Sequence, residues 1–112
     1  MIKVYLMCPY SHPEYFVRQY RVNLADRVAA WLMLQGHVVY SPLSHSHRIA
    51  HHLNNHLEHD FWLRQCHPFV EWADEARVIM AEGWNISTGI KLELEWLADM
   101  GKPFEYIDPD DI

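Results

Sequence analysis

The sequence predicts a three-layer α/β fold, with helices on both faces of a mostly parallel sheet of strand order 2-1-3-4. Three observations lead there. Short β-prone runs alternate with longer stretches of helical periodicity, the pattern of strand–crossover–strand units. The runs at residues 2–7 (I-K-V-Y-L-M) and 76–81 are nearly continuously apolar, as strands covered on both faces must be. Helical stretches end at Gly36 and at Gly101-Lys102-Pro103, where glycine can leave the helix and proline cannot continue it.

In chain order, the first strand spans residues 2–7. Ser11 with Glu14 fits a capping box and Pro13 a first helical turn, so a helix is expected over 13–35, with Val17, Leu24, Val28, Trp31 and Leu32 inward. Residues 38–40 form the second strand, closed by Ser41-Pro42. The His- and Asn-rich stretch 43–59 reads as a loop with a possible short helix, a lid or an interface. A helix follows over 58–73, broken or restarted at Pro68. The third strand covers 76–81, a helix follows Ser87, and the fourth strand covers 104–107. Asp108-Pro109-Asp110-Asp111 is expected to fray. In the order 2-1-3-4 the crevice opens between strands 1 and 3, at loops 7–13 and 82–89.

A length of 112 residues sets the expectation of one domain, and 50% hydrophobic residues suffice for a core. The formal net charge of −6 argues against a grip on a nucleic-acid polymer but permits a small phosphorylated ligand. Two cysteines, Cys8 and Cys66, are too few for a disulfide scaffold, so a reducing cytoplasm is expected. No apolar run approaches membrane length, and the N-terminus lacks a signal-peptide layout.

The stretch 83–103 carries the strongest chemistry. Ser87 is a good N-cap, and Ile90, Leu94, Leu97 and Ala98 recur at helical spacing. Glu93 falls on that apolar stripe, whereas Glu95 lies across the helix, positioned for a solvated pair with Lys91. A carboxylate on an apolar face is costly unless paired or used. It is either a core-edge acid reaching water or a nucleophile or base beside a pocket. Ser87, Thr88 and Gly89 would present first-turn N–H groups, an anion site near Glu93. Phosphate at one end and carboxylate at the other is the spacing a nucleotide sugar needs.

Other candidates are weaker. Tyr5, near the exit of strand 1, is either core or a phenol bonded to Glu93. His52, His56 and His59 fall at i, i+4 and i+7, but there is neither H-E-x-x-H nor CxxC, so a polar loop or subunit contact is expected over a metal. His45 or His47 is placed to touch a base or sugar. Cys66 and His67 are adjacent on a helix and do not face each other. Trp62, Trp72 and Trp96 read as core or interface; Tyr10 and Trp84, in the two crevice loops, are placed to stack on a base.

Three segments together, V-Y-L-M-C-P-Y-S-H-P, G-H-V-V-Y-S-P-L-S-H-S-H-R-I and G-W-N-I-S-T-G-I-K-L-E with the later G-K-P, resemble the nucleoside 2-deoxyribosyltransferase superfamily. They are most similar to a small uncharacterised bacterial and phage branch of it, over nearly the whole length. The resemblance implies a flavodoxin/Rossmann-like domain in which Glu93 attacks an anomeric carbon, Tyr5 orients it, and a second base or water takes the sugar. Relatives acting on free nucleosides carry Asp six residues before the nucleophile; those hydrolysing 5′-monophosphates carry Ser, as here at Ser87. The resemblance also implies an acid within R-Q-D-x-P-F, where this chain reads R-Q-C-H-P-F with Cys66; Asp60 or Glu71 would have to substitute. The reading is therefore an N-glycosidase or deoxyribosyltransferase-like protein for a nucleotide or nucleoside, with no metal or organic cofactor, and a homodimer by analogy with the family. Its alternative is a non-catalytic nucleotide-binding module.

Overall fold

The computed structural model describes residues 1–53 and 59–112. Strands β1 (Lys3–Met7), β2 (Val38–Tyr40), β3 (Glu75–Ile79) and β4 (Phe104–Ile107) form one sheet in the order β2-β1-β3-β4, every pairing parallel. Helices α1 (Tyr15–Leu34), α2 (Pro42–Ala50), α3 (His59–Trp72) and α4 (Thr88–Asp99) join them. Among the described residues no helix is long and apolar enough to cross a membrane.

β1 is central, and the two-residue period of a strand divides its side chains between two cores. Val4, Leu6 and Cys8 pack with Leu24, Ala25, Val28 and Leu32 of α1. Tyr5 and Met7 face the other way, against Val70 of α3 and Ile90 and Leu97 of α4. These are the two helical layers, with the sheet between them. In register, Tyr5 lies between Tyr40 on β2 and Ala76 on β3, so its side chain rises from the middle of the sheet.

Several local expectations change. α1 begins at Tyr15, with Glu14 as N-cap and no side-chain cap bond. The Ser11–Glu14 capping box does not form, because the Glu14 N–H is taken by His12 Nδ1 at 3.0 Å. Val17 is only half-buried, and Val22, Ala25 and Ala29 complete the inward face. Ser41-Pro42 closes β2 as expected and also opens a helix: the Ser41 hydroxyl accepts from the Ser44 N–H and Pro42 sits in the first turn, where its missing N–H costs nothing. The short helix allowed for in the stretch 43–59 is present, over Pro42–Ala50.

α3 runs through Pro68 without a break. Pro68 lies on the exposed side, while Cys66, Phe69, Val70 and Trp72 hold the turns on either side against the sheet. Its expected start at Glu58, and His56 and the side chain of His59 from the proposed imidazole face, lie outside the described residues. Lys102 caps the other end, its Nζ donating to the Val70 and Glu71 carbonyls. A cation there meets the negative end of the helix dipole.

α4 starts at the Ser87 N-cap and ends before Gly101, whose φ is +69°. Ile90 and Leu97 are buried and Leu94 half-buried, but Ala98 is exposed. No Lys91–Glu95 ion pair occurs among the described residues; both side chains stand in water, where such a pair gains little. The C-terminal Pro109–Asp111 forms a 3-10 turn rather than fraying, because the Asp108 carboxylate accepts the Asp110 N–H at 2.9 Å.

Nothing lies within 4 Å of where a Cβ on Gly101 would stand, so conformation alone opposes a side chain there. Gly101→Ala is expected to lower stability by about 1–2 kcal/mol, read from the urea midpoint, with Gly101→Asn losing less. An unchanged midpoint would show that the end of α4 relaxes freely.

Candidate functional site

The order of strands reverses direction between β1 and β3, and a cavity of about 450 Å³ opens there, beyond their C-terminal ends. Two loops furnish its floor and rim, one through Cys8–His12 after β1 and one through Gly83–Gly89 after β3. α2 contributes one face, Pro42, Leu43, Ser46, His47 and Ala50, at helical spacing. α3 adds Trp62, Leu63 and Cys66, and α4 adds Ile90 and Glu93.

Among the described residues Glu93 supplies the carboxylate that lines this cavity. Its carboxylate keeps a partial opening to the crevice while protein surrounds it on the other sides. Burial disfavours its ionised form and pushes the carboxyl up to about 7, against the opposing pull of a hydrogen bond from the Tyr5 hydroxyl. Tyr5 is wholly buried. Burial first, and the Glu93 charge second, hold its phenol well above the ordinary range, so it remains a donor at any working pH. The Cys66 thiol stands beside the same two groups. Burial raises it, the Tyr5 hydroxyl lowers it and the Glu93 charge raises it again, leaving a protonated thiol.

The start of α4 faces the same cavity. The Ser87 hydroxyl accepts the Ile90 N–H at 3.2 Å, and the Ser87 carbonyl accepts the Lys91 N–H at 3.1 Å. Thr88 and Gly89, the first two residues of the helix, have N–H groups that no helical carbonyl can reach. All three residues line the crevice.

Arg21 was not anticipated from sequence. It is a buried residue of α1 whose guanidinium reaches the cavity wall. It donates to the Ser11 carbonyl at 3.0 Å and the Glu82 carbonyl at 2.9 Å, tying the two crevice loops together. Among the described residues no carboxylate pairs with it, so it adds uncompensated positive charge to the cavity that the start of α4 also lines. Gly83 makes room: its φ is +91°, and a Cβ there would stand 3.1 Å from Arg21 Nη2. An arginine in a mostly apolar helix pattern has no local signal of this role, because both its partners are backbone carbonyls distant in sequence.

Of the remaining sequence candidates, Tyr10 lines the crevice, and Trp84, His45 and Asp60 do not. Trp84 sits on a 3-10 turn, Trp84–Ile86, and its ring packs 5.0 Å from that of Tyr106. His45 turns towards Tyr40, ring centres 5.6 Å apart, because residues two apart on a helix point in different directions. His47 is the α2 histidine that faces the cavity. Asp60 is exposed near the start of α3. Among the described residues no three His, Cys, Asp or Glu side chains converge as a metal site requires.

A family profile described as "Domain of unknown function (DUF1937)" matches residues 2–108. Among solved structures, the fold is similar to a 2-deoxyribosyltransferase from the psychrotolerant bacterium Bacillus psychrosaccharolyticus, at 24% identity and a TM-score of 0.59. The similarity covers 96% of this chain and 72% of that one, and supports a nucleoside deoxyribosyltransferase-like fold. A search of curated proteins finds no match.

Because Glu93 titrates near 7 when folded and near 4.5 otherwise, the folded chain retains a proton that the unfolded chain has released. This contribution to stability is complete below about 4.5 and is lost as pH rises through about 7. Glu93→Gln, which cannot ionise, is expected to match the wild type near pH 4. Above pH 7 it should exceed it by on the order of 3 kcal/mol, measured by urea unfolding. A difference that does not vary with pH would mean that the carboxyl is not raised.

Proposed function

We propose that this chain, which belongs to the DUF1937 family, is an N-glycosidase acting on a nucleoside 5′-monophosphate, with Glu93 as nucleophile. One observation carries the reading. A solvent-poor carboxylate, held by a phenol donor, shares a cavity with the open end of a helix and a guanidinium that no carboxylate pairs among the described residues.

In the reaction, one Glu93 oxygen attacks the anomeric carbon on the face opposite the base. The carbon–nitrogen bond breaks and the base leaves with its electron pair, gaining a proton from water. A glycosyl ester to Glu93 remains. Water then attacks the same carbon and returns the carboxylate, as in retaining glycosidases; a second base taking the place of water would make the reaction a transfer. The Tyr5 hydroxyl orients the carboxylate and restrains the oxygen that does not attack. The Thr88 and Gly89 N–H groups, the Ser87 hydroxyl proton and Arg21 take the phosphate, where an anion meets the positive end of α4. Trp62 offers an aromatic face for the base, and Tyr10 lines the same cavity. The mechanism asks for no metal or organic cofactor.

We place the protein in the cytoplasm, as a single domain that assembles as a homodimer. Two unbonded cysteines support the compartment, and Tyr15, Phe16 and Tyr20, exposed on the outer side of α1, support the assembly.

Cys66 favours a second reading. A protonated thiol is a poor acid for the departing base, so a module that binds nucleotides without cleaving them fits the same pocket. The two are separated by incubating a panel of ribo- and deoxyribonucleoside 5′-monophosphates with the protein and measuring free base by chromatography. The glycosidase is expected to release base from a subset. Its rate should climb with pH and level off above about 7, as Glu93 ionises. Glu93→Gln is expected to cut release at least about a thousandfold. Thermal stabilisation by nucleotides without release would establish the binding module, and equal release by Glu93→Gln would remove Glu93 as nucleophile.

A further inference from the structure

The crevice holds a polar relay that the glycosidic chemistry leaves unused. Tyr10, in the loop after β1, places its hydroxyl 2.9 Å from Nδ1 of His47 on α2. Nε2 of the same ring lies 2.9 Å from Oε1 of Gln19 on α1, an oxygen that also accepts from the Tyr15 hydroxyl. Both Tyr10 and His47 line the cavity, and His47 is buried beneath a thin cover that includes Tyr15 and His51.

The direction of these bonds follows from what each atom can do. A neutral imidazole has one N–H and one lone pair. Burial, and then the neighbouring His51, hold His47 below its ordinary pKa, so the ring is neutral. An amide oxygen only accepts, so the ring N–H is on Nε2 and Nδ1 carries the lone pair. Nδ1 must therefore accept, and among the described residues the proton it accepts is that of Tyr10. The Tyr10 oxygen is left as an acceptor with no proton to offer, on a side chain that lines the crevice; the Arg18 guanidinium donates to it from one side, which leaves one lone pair for a ligand.

The relay lies on the α1–α2 side of the sheet, and Glu93 on the α3–α4 side. Tyr10 and the start of α4 line the same cavity, so the space left for the base of a ligand whose phosphate is held at α4 includes the Tyr10 wall. We infer that Tyr10 is a specificity-determining residue: its oxygen accepts a hydrogen bond from an exocyclic amino group of the base, so that amino-bearing nucleotides are taken in preference to their keto counterparts. This rests on the nucleotide reading above and adds the class of base to it. A keto oxygen in the same place would oppose two acceptors and leave both without a proton, a mismatch whose cost corresponds to about tenfold or more in affinity.

The test is calorimetric binding to Glu93→Gln protein, which holds ligand without turnover, using matched pairs: dCMP with dUMP, and dAMP with dIMP. The amino member of at least one pair is expected to bind about tenfold or more tightly than its keto partner. Tyr10→Phe, which deletes the acceptor, should bring that ratio close to one. His47→Leu frees the Tyr10 hydroxyl to donate, and should shift preference towards the keto member, an effect that loss of packing alone does not produce. If His47→Leu does not fold, Tyr10→Phe decides. Equal binding within both pairs, or a ratio unchanged in Tyr10→Phe, overturns the inference and leaves the nucleotide reading intact. No binding by any of the four overturns both.

Discussion

The bond between Tyr5 and Glu93 constrains more of this molecule than any other side-chain contact. A carboxylate removed from water is unstable as an ion unless a donor meets it. The donor here is a phenol rising from the central strand, and the sheet on both sides of β1 denies it any other position. α4 must then dock so that Glu93, on its apolar stripe, falls over that phenol. The N-cap at Ser87, the packing of Ile90 and Leu97 and the turn at Gly101 all serve that docking. The balance is incomplete, and the carboxyl still sits near 7 rather than in the usual carboxylate range. A group poised there has both forms within reach of neutral pH, which suits a nucleophile that must become a leaving group later in the same cycle.

Charge in the crevice runs against charge in the chain as a whole. The sequence carries a net −6, yet one cavity is lined by the first turn of α4, with its free N–H groups, and by the Arg21 guanidinium. Local arrangement decides ligand sign because a low-dielectric wall strengthens nearby charges while solvent screens distant ones. Arg21 contributes a second time through its two carbonyl partners. By holding the Ser11 and Glu82 backbones, it keeps the mouth of the crevice at a set width before any ligand arrives.

What could be read from sequence followed how local each signal is. The Ser87 cap, the left-handed Gly101, the strand order and the meeting of Tyr5 with Glu93 rest on residue chemistry at short spacing or on the rules of parallel sheets, and they appear in the structure. α2 was legible in principle, since Ser41-Pro42 is as good a helix start as a strand stop; the polar, His-rich composition that follows obscured it. Without the bounds of that helix nothing in the sequence distinguishes His45 from His47, of which His47 faces the cavity. Arg21 and Trp62 carry no local mark at all. Each reaches the crevice by the rotation of a long helix, which depends on packing across the sheet. Trp84 shows the reverse case, a residue in the expected loop whose ring the core claims.

Ser87 performs two duties with one hydroxyl, and that has an evolutionary consequence. Its oxygen caps α4, while its proton is free to face the crevice. Aspartate is as good an N-cap as serine and suits the positive end of a helix, so exchanging one for the other leaves the fold as stable as before. The same exchange replaces a proton offered to an anion with a negative charge that repels it. A lineage with this scaffold can therefore pass between charged and uncharged ligands by drift at one position, with no intermediate in which folding is compromised. Selection would then act on the ligand alone.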